Sequence, residues 1–225
     1  MRTHITDDIG ATAGALLVKG MAGLEHPRLA VPGGGSPTST FAWLAENWDG
    51  GHAQLTWVDE RHLPLGPESS DWRDLPPQSN LKAAMAAWLT RTETPPLWLP
   101  MTHPGTLDEA VASFTFQFET VMGGLDAVLL GMGPDGHIAS LFPGHPALGR
   151  ADTCIGIEDS PKPPRLRLTL GLHVLAQARV KVLICTGAAK GAALARSLTE
   201  PSMPLFHLMH DLDVVLDAEA ARELP

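Results

Sequence analysis

The segment 126–143, DAVLLGMGPDGHIASLFP, carries a side chain suited to proton transfer within a glycine-rich loop. His137 is the one side chain there that can accept or donate a proton near neutral pH. The loop before it contains three glycines, Gly136 among them, and glycine lets a ligand come close to the backbone. Two interpretations are open on these residues alone. The histidine belongs to a ligand-binding loop, or it lies at the surface of a tight turn.

The elements on either side of this loop must position it. Residues 127–130 form an apolar run without charge, which is typical of a buried strand in a parallel sheet. We expect the apolar segment 138–142 to follow the loop as the start of a helix. Such strand–loop–helix edges are where open α/β sheets bind ligands.

A second glycine loop, GGGS at 33–36, stands between a predicted strand at 29–31 and a predicted helix. Ser36 is a good N-cap residue, and Pro37 suits the first helical position. Free N–H groups at a helix N-terminus favour a phosphate, although such turns also serve packing alone. The residues that would contact the phosphate are Gly33, Gly34 and Ser36.

Three charged residues, Asp59, Glu60 and Arg61, end the predicted strand at 54–58. Charges at the end of a buried strand are costly unless they are paired or solvated. Arg61 could bind a phosphate and Glu60 a sugar hydroxyl. The alternative is an Asp59–Arg61 ion pair that holds the loop.

Basic residues recur in the second half of the chain. Lys162 lies between prolines, which fix where its amine points, and Arg167 alternates with leucines on an extended segment. The alternative for both is a rigid surface loop with solvated bases. Lys190, near the start of a predicted helix at 186–198, is either a site cation or a solvated residue, and we favour the second.

The remaining patterns predict an α/β fold. Amphipathic helices are expected at 5–24 and 81–89 and after a capping box at Thr106, with buried strands at 97–99, 153–157, 180–185 and 214–216. Seven or eight strands alternating with helices indicate a Rossmann-like, mostly parallel sheet with helices on both faces. No repeat or long linker divides the chain, so we expect a single domain over residues 1–225.

The net charge, the cysteines and the length of the apolar runs limit which partners and locations are expected. A formal charge of −9 argues against nucleic acid or an anionic membrane as a partner. Cys154 and Cys185, each in an apolar run, indicate buried thiols and a cytoplasmic location. No apolar run approaches a membrane span, and no histidine or acid has metal-ligand spacing. We therefore expect neither a metal nor a cofactor.

The sequence GMGPDGHIASLFP at 131–143 resembles the signature of 6-phosphogluconolactonase. Ile138 is shared with the related glucosamine-6-phosphate deaminases, whereas the Ser-Leu-Phe-Pro that follows is typical of the lactonases. SPKPP at 160–164 also resembles the lactonases, and GGGSP, DER and the Gly-x-x-Lys ending at Lys190 resemble the wider family. Gly35 lacks the side chain that many members carry, and Asp71 stands where a Ser-Asn pair is expected.

This resemblance implies a deaminase/lactonase-type fold and hydrolysis of 6-phospho-D-glucono-1,5-lactone in the oxidative pentose phosphate pathway. His137 would be the general base, with Asp135 orienting the ring. The phosphate would lie on cations drawn from Lys162, Arg167 and Arg61, beside the 33–36 loop. Two alternatives remain open: a sugar-phosphate isomerase or deaminase, in which His137 serves ring opening and a carboxylate is the base, and a non-catalytic sugar-phosphate sensor.

Overall fold

The computed structural model describes residues 1–65 and 71–225. Seven parallel strands form the main sheet in the order β1-β10-β9-β6-β2-β3-β5, and three antiparallel strands form a second sheet in the order β4-β8-β7. The strands are β1 (Arg2–Ile5), β2 (Arg28–Val31), β3 (Gln54–Trp57), β4 (Asp59–Arg61), β5 (Leu97–Trp98), β6 (Ala127–Gly131), β7 (Cys154–Ile157), β8 (Arg167–Leu170), β9 (Val180–Cys185) and β10 (Leu212–Leu216).

Helices connect the strands of the main sheet. They are α1 (Ile9–Met21), α2 (Thr38–Asn47), α3 (Asn80–Ala84), α4 (Leu107–Gln117), α5 (Leu172–Gln177), α6 (Ala188–Ser197) and α7 (Ala218–Ala221). The predicted capping box is confirmed at the start of α4, where the side chains of Thr106 and Glu109 each accept from the other's backbone N–H. Within the described residues, no helix has the length and apolar character needed to cross a membrane.

The strand order places the helices on both faces of the main sheet. From β1 through β2 and β3 to β5 the chain moves toward one edge, and from β5 through β6 and β9 to β10 it moves back. Because crossovers between parallel strands are right-handed, the two directions place their helices on opposite faces. α1 and α2 accordingly pack against each other. The predicted fold class, a single-domain α/β fold around a mostly parallel sheet, is confirmed.

The centre of the main sheet is apolar on both faces. The side chains of Leu29 to Val31 and of Ala127 to Leu130 are fully buried. Strands β2 and β6 pair there, with Leu29 and Ala30 opposite Ala127 and Val128. Sheets covered on both faces need such continuous apolar runs, which explains why these two strands were predictable from sequence.

Three local predictions were wrong. The predicted helix at 5–24 is preceded by an unpredicted edge strand, β1, and begins only at Ile9. Residues 138–142 form consecutive turns with bridges between Ile138 and both Met132 and Leu141, so no helix follows the glycine loop. Helix α2 begins at Thr38 with Pro37 as its cap residue, and Ser36 makes no capping hydrogen bond.

Candidate active site

The carboxyl ends of β2 and β6 lie side by side at the point where the crossover direction reverses. The connections that follow these two strands cross to opposite faces of the sheet, which leaves a crevice between the loops at their carboxyl ends. A cleft of about 150 Å³ occupies this position. Its lining includes the 33–36 loop after β2, the segment after β6, and residues of the second sheet.

His137 lines this cleft and is bound by two charged partners. Its Nδ1 atom lies 2.6 Å from Oδ1 of Asp135, and Nζ of Lys162 lies 2.9 Å from Oδ2 of the same carboxylate. Nζ of Lys162 is 3.4 Å from Nδ1 of His137. Only 20% of the imidazole is exposed, so the interpretation as a surface histidine is wrong. Among the described residues, Nε2 has no hydrogen-bond partner.

The surroundings of this cluster shift the pKa values of His137 and Asp135. Burial lowers the pKa of His137 below its usual value; Asp135 opposes this shift and Lys162 adds to it. Burial raises the pKa of Asp135, but hydrogen bonds from Lys162 and His137 outweigh this and bring it to about 2. At neutral pH the carboxylate is therefore ionised and the imidazole is neutral. Its Nδ1–H donates to Asp135, and Nε2 keeps a free lone pair.

Backbone geometry brings this cluster to the cleft. A Cβ atom at Gly133 would lie 2.2 Å from Cε1 of His137 and 2.5 Å from Oδ1 of Asp135, so only glycine fits beneath the pair. Gly136 has a φ of +90°, a conformation that L-residues rarely adopt. Ala139 lines the cleft at a φ of +50°, which costs about 1–2 kcal/mol for a residue with a Cβ. Strain of this kind is typical of functional loops.

The 33–36 loop also lines the cleft and, within the described part of the chain, presents unpaired backbone N–H groups. Among the described residues, no hydrogen bond uses the backbone N–H groups of residues 33–36 as donors. Nζ of Lys190, in the first turn of α6, donates to Oγ of Ser36 at 2.7 Å. Our preference for Lys190 as a solvated residue was therefore wrong. The loop combines free N–H groups with a fixed ammonium, which suits a phosphate.

Asp59 lies at the cleft and is held by three partners. Oγ of Ser140 donates to its Oδ2 at 2.7 Å, and Nδ2 of Asn80 donates to its Oδ1 at 3.1 Å. Nη1 of Arg167 lies 3.8 Å from Oδ2. The cation beside Asp59 is thus Arg167, and the alternative Asp59–Arg61 ion pair does not form.

The two arginines predicted for the site both line the cleft. Arg167 is only 5% exposed, and it donates to the backbone carbonyls of Lys162, Pro163 and Pro164. The interpretation of Arg167 as a solvated base is therefore wrong. Arg61 donates through Nη1 to the carbonyl of Gln78, and its Nε is buried without a partner among the described residues. An unpaired buried donor of this kind is costly.

Glu60 does not reach the cleft, contrary to its expected contact with a sugar hydroxyl. Its carboxylate is 1% exposed and accepts four hydrogen bonds: from Oγ of Ser79 at 3.0 Å and from the backbone N–H groups of Arg61, Asn80 and Leu81 at 2.7–2.8 Å. Burial raises its pKa, and these four donors oppose the rise. Glu60 therefore anchors the N-terminus of α3 to β4.

The Ser-Asn pair expected near Asp71 stands instead at Ser79 and Asn80. Both residues are buried against β4, through Glu60 and Asp59 respectively. The segment 63–71, LPLGPESSD, has the composition of a loop, and its residues 66–70 lie outside the described part of the chain. The dipeptide itself, directly before an apolar helix, was the signal that could have identified these positions.

No group of three or more His, Cys, Asp or Glu residues able to hold a metal ion occurs in residues 1–65 and 71–225. Both cysteines are buried and unpaired. Within these ranges, the polar groups at the cleft are a histidine with a carboxylate partner, a loop with unpaired N–H groups and two arginines.

Residues 3–215 match the family described as glucosamine-6-phosphate isomerases/6-phosphogluconolactonase. The chain belongs to this family. It is 31% identical over 245 residues to the 6-phosphogluconolactonase of Mycobacterium tuberculosis, a match that covers 96% of this chain and 91% of that protein. It is also 31% identical to the rice (Oryza sativa subsp. japonica) protein "Probable 6-phosphogluconolactonase 4, chloroplastic" over 83% of this chain, and it spans 61% of that protein's length.

The fold of this isomerase/lactonase family member is shared with solved structures. The crystal structure of 6-phosphogluconolactonase from Thermotoga maritima superimposes with a TM-score of 0.81 over 96% of this chain and 97% of that chain, at 19% identity. At that identity the likeness concerns the fold alone. Since the family description includes both isomerases and lactonases, the activity must be argued from the cleft.

Proposed function

We propose that this protein hydrolyses 6-phospho-D-glucono-1,5-lactone to 6-phospho-D-gluconate, the lactonase step of the oxidative pentose phosphate pathway. The observation that carries the proposal is a neutral histidine, held by an ionised carboxylate, in the same cleft as an anion-binding loop. The curated relatives at 31% identity that carry the lactonase name support it. We further propose that the partner is this small molecule alone, without nucleic acid or membrane.

The chemistry needs one base and an activated ester. Nε2 of His137 takes a proton from water as the oxygen adds to the lactone carbonyl carbon, giving a tetrahedral oxyanion. The bond between that carbon and the ring oxygen then breaks, and the imidazolium returns its proton to the departing oxygen. Asp135 keeps the proton of the neutral ring on Nδ1 and stabilises the imidazolium, so Nε2 is the atom that acts.

The phosphate of the substrate fits the opposite wall of the cleft. A sugar phosphate carries nearly two negative charges at neutral pH, and the chain carries a formal charge of −9, so local cations must hold it. We propose that the N–H groups of Gly33, Gly34 and Ser36 bind the phosphate, with positive charge from the ammonium of Lys190, which is held on Ser36, and from Arg61, which lines the cleft. Arg167, beside Asp59, supplies positive charge to the cleft between the two walls.

An isomerase or deaminase is the second candidate, because Asp59 places a carboxylate in the same cleft as His137. That carboxylate accepts from Ser140 and Asn80 and lies near Arg167, so its lone pairs are largely occupied. A general base needs a free lone pair within reach of the substrate. The occupied lone pairs of Asp59 therefore favour hydrolysis, for which the free Nε2 of His137 is a sufficient base. A sensor would need no such base.

The test offers fresh 6-phosphogluconolactone and, separately, glucosamine-6-phosphate, and follows acid and ammonia release above the spontaneous background. We expect acid release alone, retained after chelator treatment. His137→Ala should lower kcat by about 10²–10⁴-fold with little change in KM. His210→Ala, whose side chain is 92% exposed, is the matched control. Ammonia release, or a folded His137→Ala variant with normal kcat, contradicts the proposal.

A further inference from the structure

The ammonium of Lys162 lies in the cluster around His137, although the sequence analysis assigned it to the substrate phosphate. Nζ contacts Oδ2 of Asp135 at 2.9 Å and lies 3.4 Å from Nδ1 of the imidazole. Among the described residues, these are the side-chain contacts of Nζ, and neither involves the 33–36 loop or Arg61. Its charge is therefore directed at the base and its carboxylate.

The backbone of Lys162 is fixed independently of any substrate. Its carbonyl accepts from Oγ of Ser160 at 2.9 Å and from Nη2 of Arg167 at 3.1 Å. Ser160 and Arg167 are 3% and 5% exposed, and Pro161 and Pro163 restrict the backbone on either side. A side chain anchored in this way loses less conformational entropy when it holds a fixed contact.

We propose that Lys162 is a positioning residue for His137: its ammonium holds Asp135 through Oδ2 and keeps the imidazole uncharged, with its proton on Nδ1. The inference rests on the proposed role of His137 as the base. A carboxylate that faces a histidine alone favours the imidazolium, which cannot accept a proton. Because Lys162 balances the negative charge of Asp135, the carboxylate can orient the imidazole without strongly favouring the imidazolium.

The charges around the ring show what removal of Lys162 would do. Asp135 and, more weakly, Asp59 favour the imidazolium, whereas Lys162 disfavours it. Arg167 lines the same cleft. The ring of Phe142 packs against the imidazole, with 5.0 Å between the ring centroids. Without the charge of Lys162, the effect of the two carboxylates, which favour the imidazolium, is less opposed. The pKa of His137 must then rise, so the neutral base is present only at higher pH.

The direct test is an NMR titration of the His137 ring, assigned by comparison with His137→Ala, in the wild type, Lys162→Met and Lys162→Arg. We expect the midpoint of Lys162→Met to move to higher pH and that of Lys162→Arg to stay near the wild type. The side chain of Lys162 is 40% exposed, so both variants should fold, and Lys162→Gln is a second neutral replacement. An unchanged midpoint in both neutral variants overturns the proposal. This measurement needs no activity.

The kinetic test compares 6-phosphogluconolactone with unphosphorylated glucono-1,5-lactone across pH. For Lys162→Met we expect the acid limb of kcat/KM to move to higher pH by the same amount on both substrates, with KM unchanged. A rise in KM confined to the phosphorylated substrate makes Lys162 a phosphate ligand and overturns the proposal. If the wild type hydrolyses neither lactone, the proposed function fails, and the NMR titration alone decides the role of Lys162.

Discussion

Replacing Asp135 with asparagine should do more than remove one hydrogen bond, because two donors compete for the new side chain. The carboxylate offers one oxygen to His137 and the other to Lys162. An amide has a single oxygen, and its NH₂ group cannot face an ammonium, which is only a donor. Lys162 therefore takes the oxygen, and the NH₂ group turns to Nδ1 of His137. The ring proton must then move to Nε2, the atom that should accept a proton.

The expected loss follows from these contacts. A hydrogen bond to a charged group contributes about 1.5–3 kcal/mol, which corresponds to about 10- to 150-fold in rate. The wrong tautomer extends the loss toward about 10⁴-fold in kcat. Since Asp135 favours the imidazolium, its loss also lowers the pKa of His137. The acid limb of the pH profile should thus move to lower pH while the plateau falls.

The assay is kcat across pH for Asp135→Asn and for the double variant Asp135→Asn/Lys162→Met. Without the ammonium, the amide oxygen is free to accept from Nδ1, so the double variant should be more active than Asp135→Asn alone. Thermal unfolding provides the control for folding. The pKa of Asp135 in the folded protein, about 2, lies below its value in the unfolded chain, so this group stabilises the fold at pH values above the unfolded pKa. That stabilisation is lost as the pH falls toward 2. Because the side chain is 37% exposed, it amounts to about 1 kcal/mol or less. A folded Asp135→Asn with kcat within about threefold of the wild type refutes the reasoning.

Two further predictions concern Lys190, which we place at the substrate phosphate, and Glu60, which holds the N-terminus of α3. Lys190→Met should raise KM for the phosphorylated lactone by about 10- to 100-fold, the effect of a lost charged hydrogen bond, and leave KM for glucono-1,5-lactone unchanged. Lys19→Met, at an exposed helix position, is the control. Equal effects of Lys190→Met on both substrates contradict the assignment. Glu60→Gln turns an NH₂ group toward two buried donors and should cost at least about 2 kcal/mol, or about 4–8 °C in Tm. Thermal unfolding measures this cost against exposed Glu25→Gln, and an unchanged Tm contradicts the anchoring role.

The parts of the fold and site that follow from local chemistry were predictable. The apolar runs at β6 and β9 and the capping box at α4 are properties of a few adjacent residues, and the structure has them where the patterns predict. The position of His137 at a strand-to-loop edge follows in the same way from the order of residue types. These features depend on periodicity and capping, which the sequence displays directly.

The parts that depend on contacts between distant residues were not predictable. Lys190 and Ser36 are 154 positions apart, and no local pattern indicates that they meet. The charges of β4 were expected at the end of one strand, yet they form a strand of a second sheet opposite Arg167 and Thr169. Glu60 and Lys162 likewise took their roles from neighbours on other elements. A residue type states what a side chain can bind, whereas only the fold determines which partner it meets.

The pairing of β2 with β6 also determines when the site can exist during synthesis of the chain. Arg28 and Asp126, which form an ion pair where these strands begin, are 98 residues apart. Lys190, which contacts Ser36 of the 33–36 loop, is synthesised later still. Contacts of such long range form only after much of the chain is available, because closing a long loop costs entropy before the contact repays it. A nascent chain that has emerged only through β5 contains the anion-binding loop but no base to act on what it binds. The proposed base and the complete proposed phosphate site are therefore both present only when the chain has been made as far as α6.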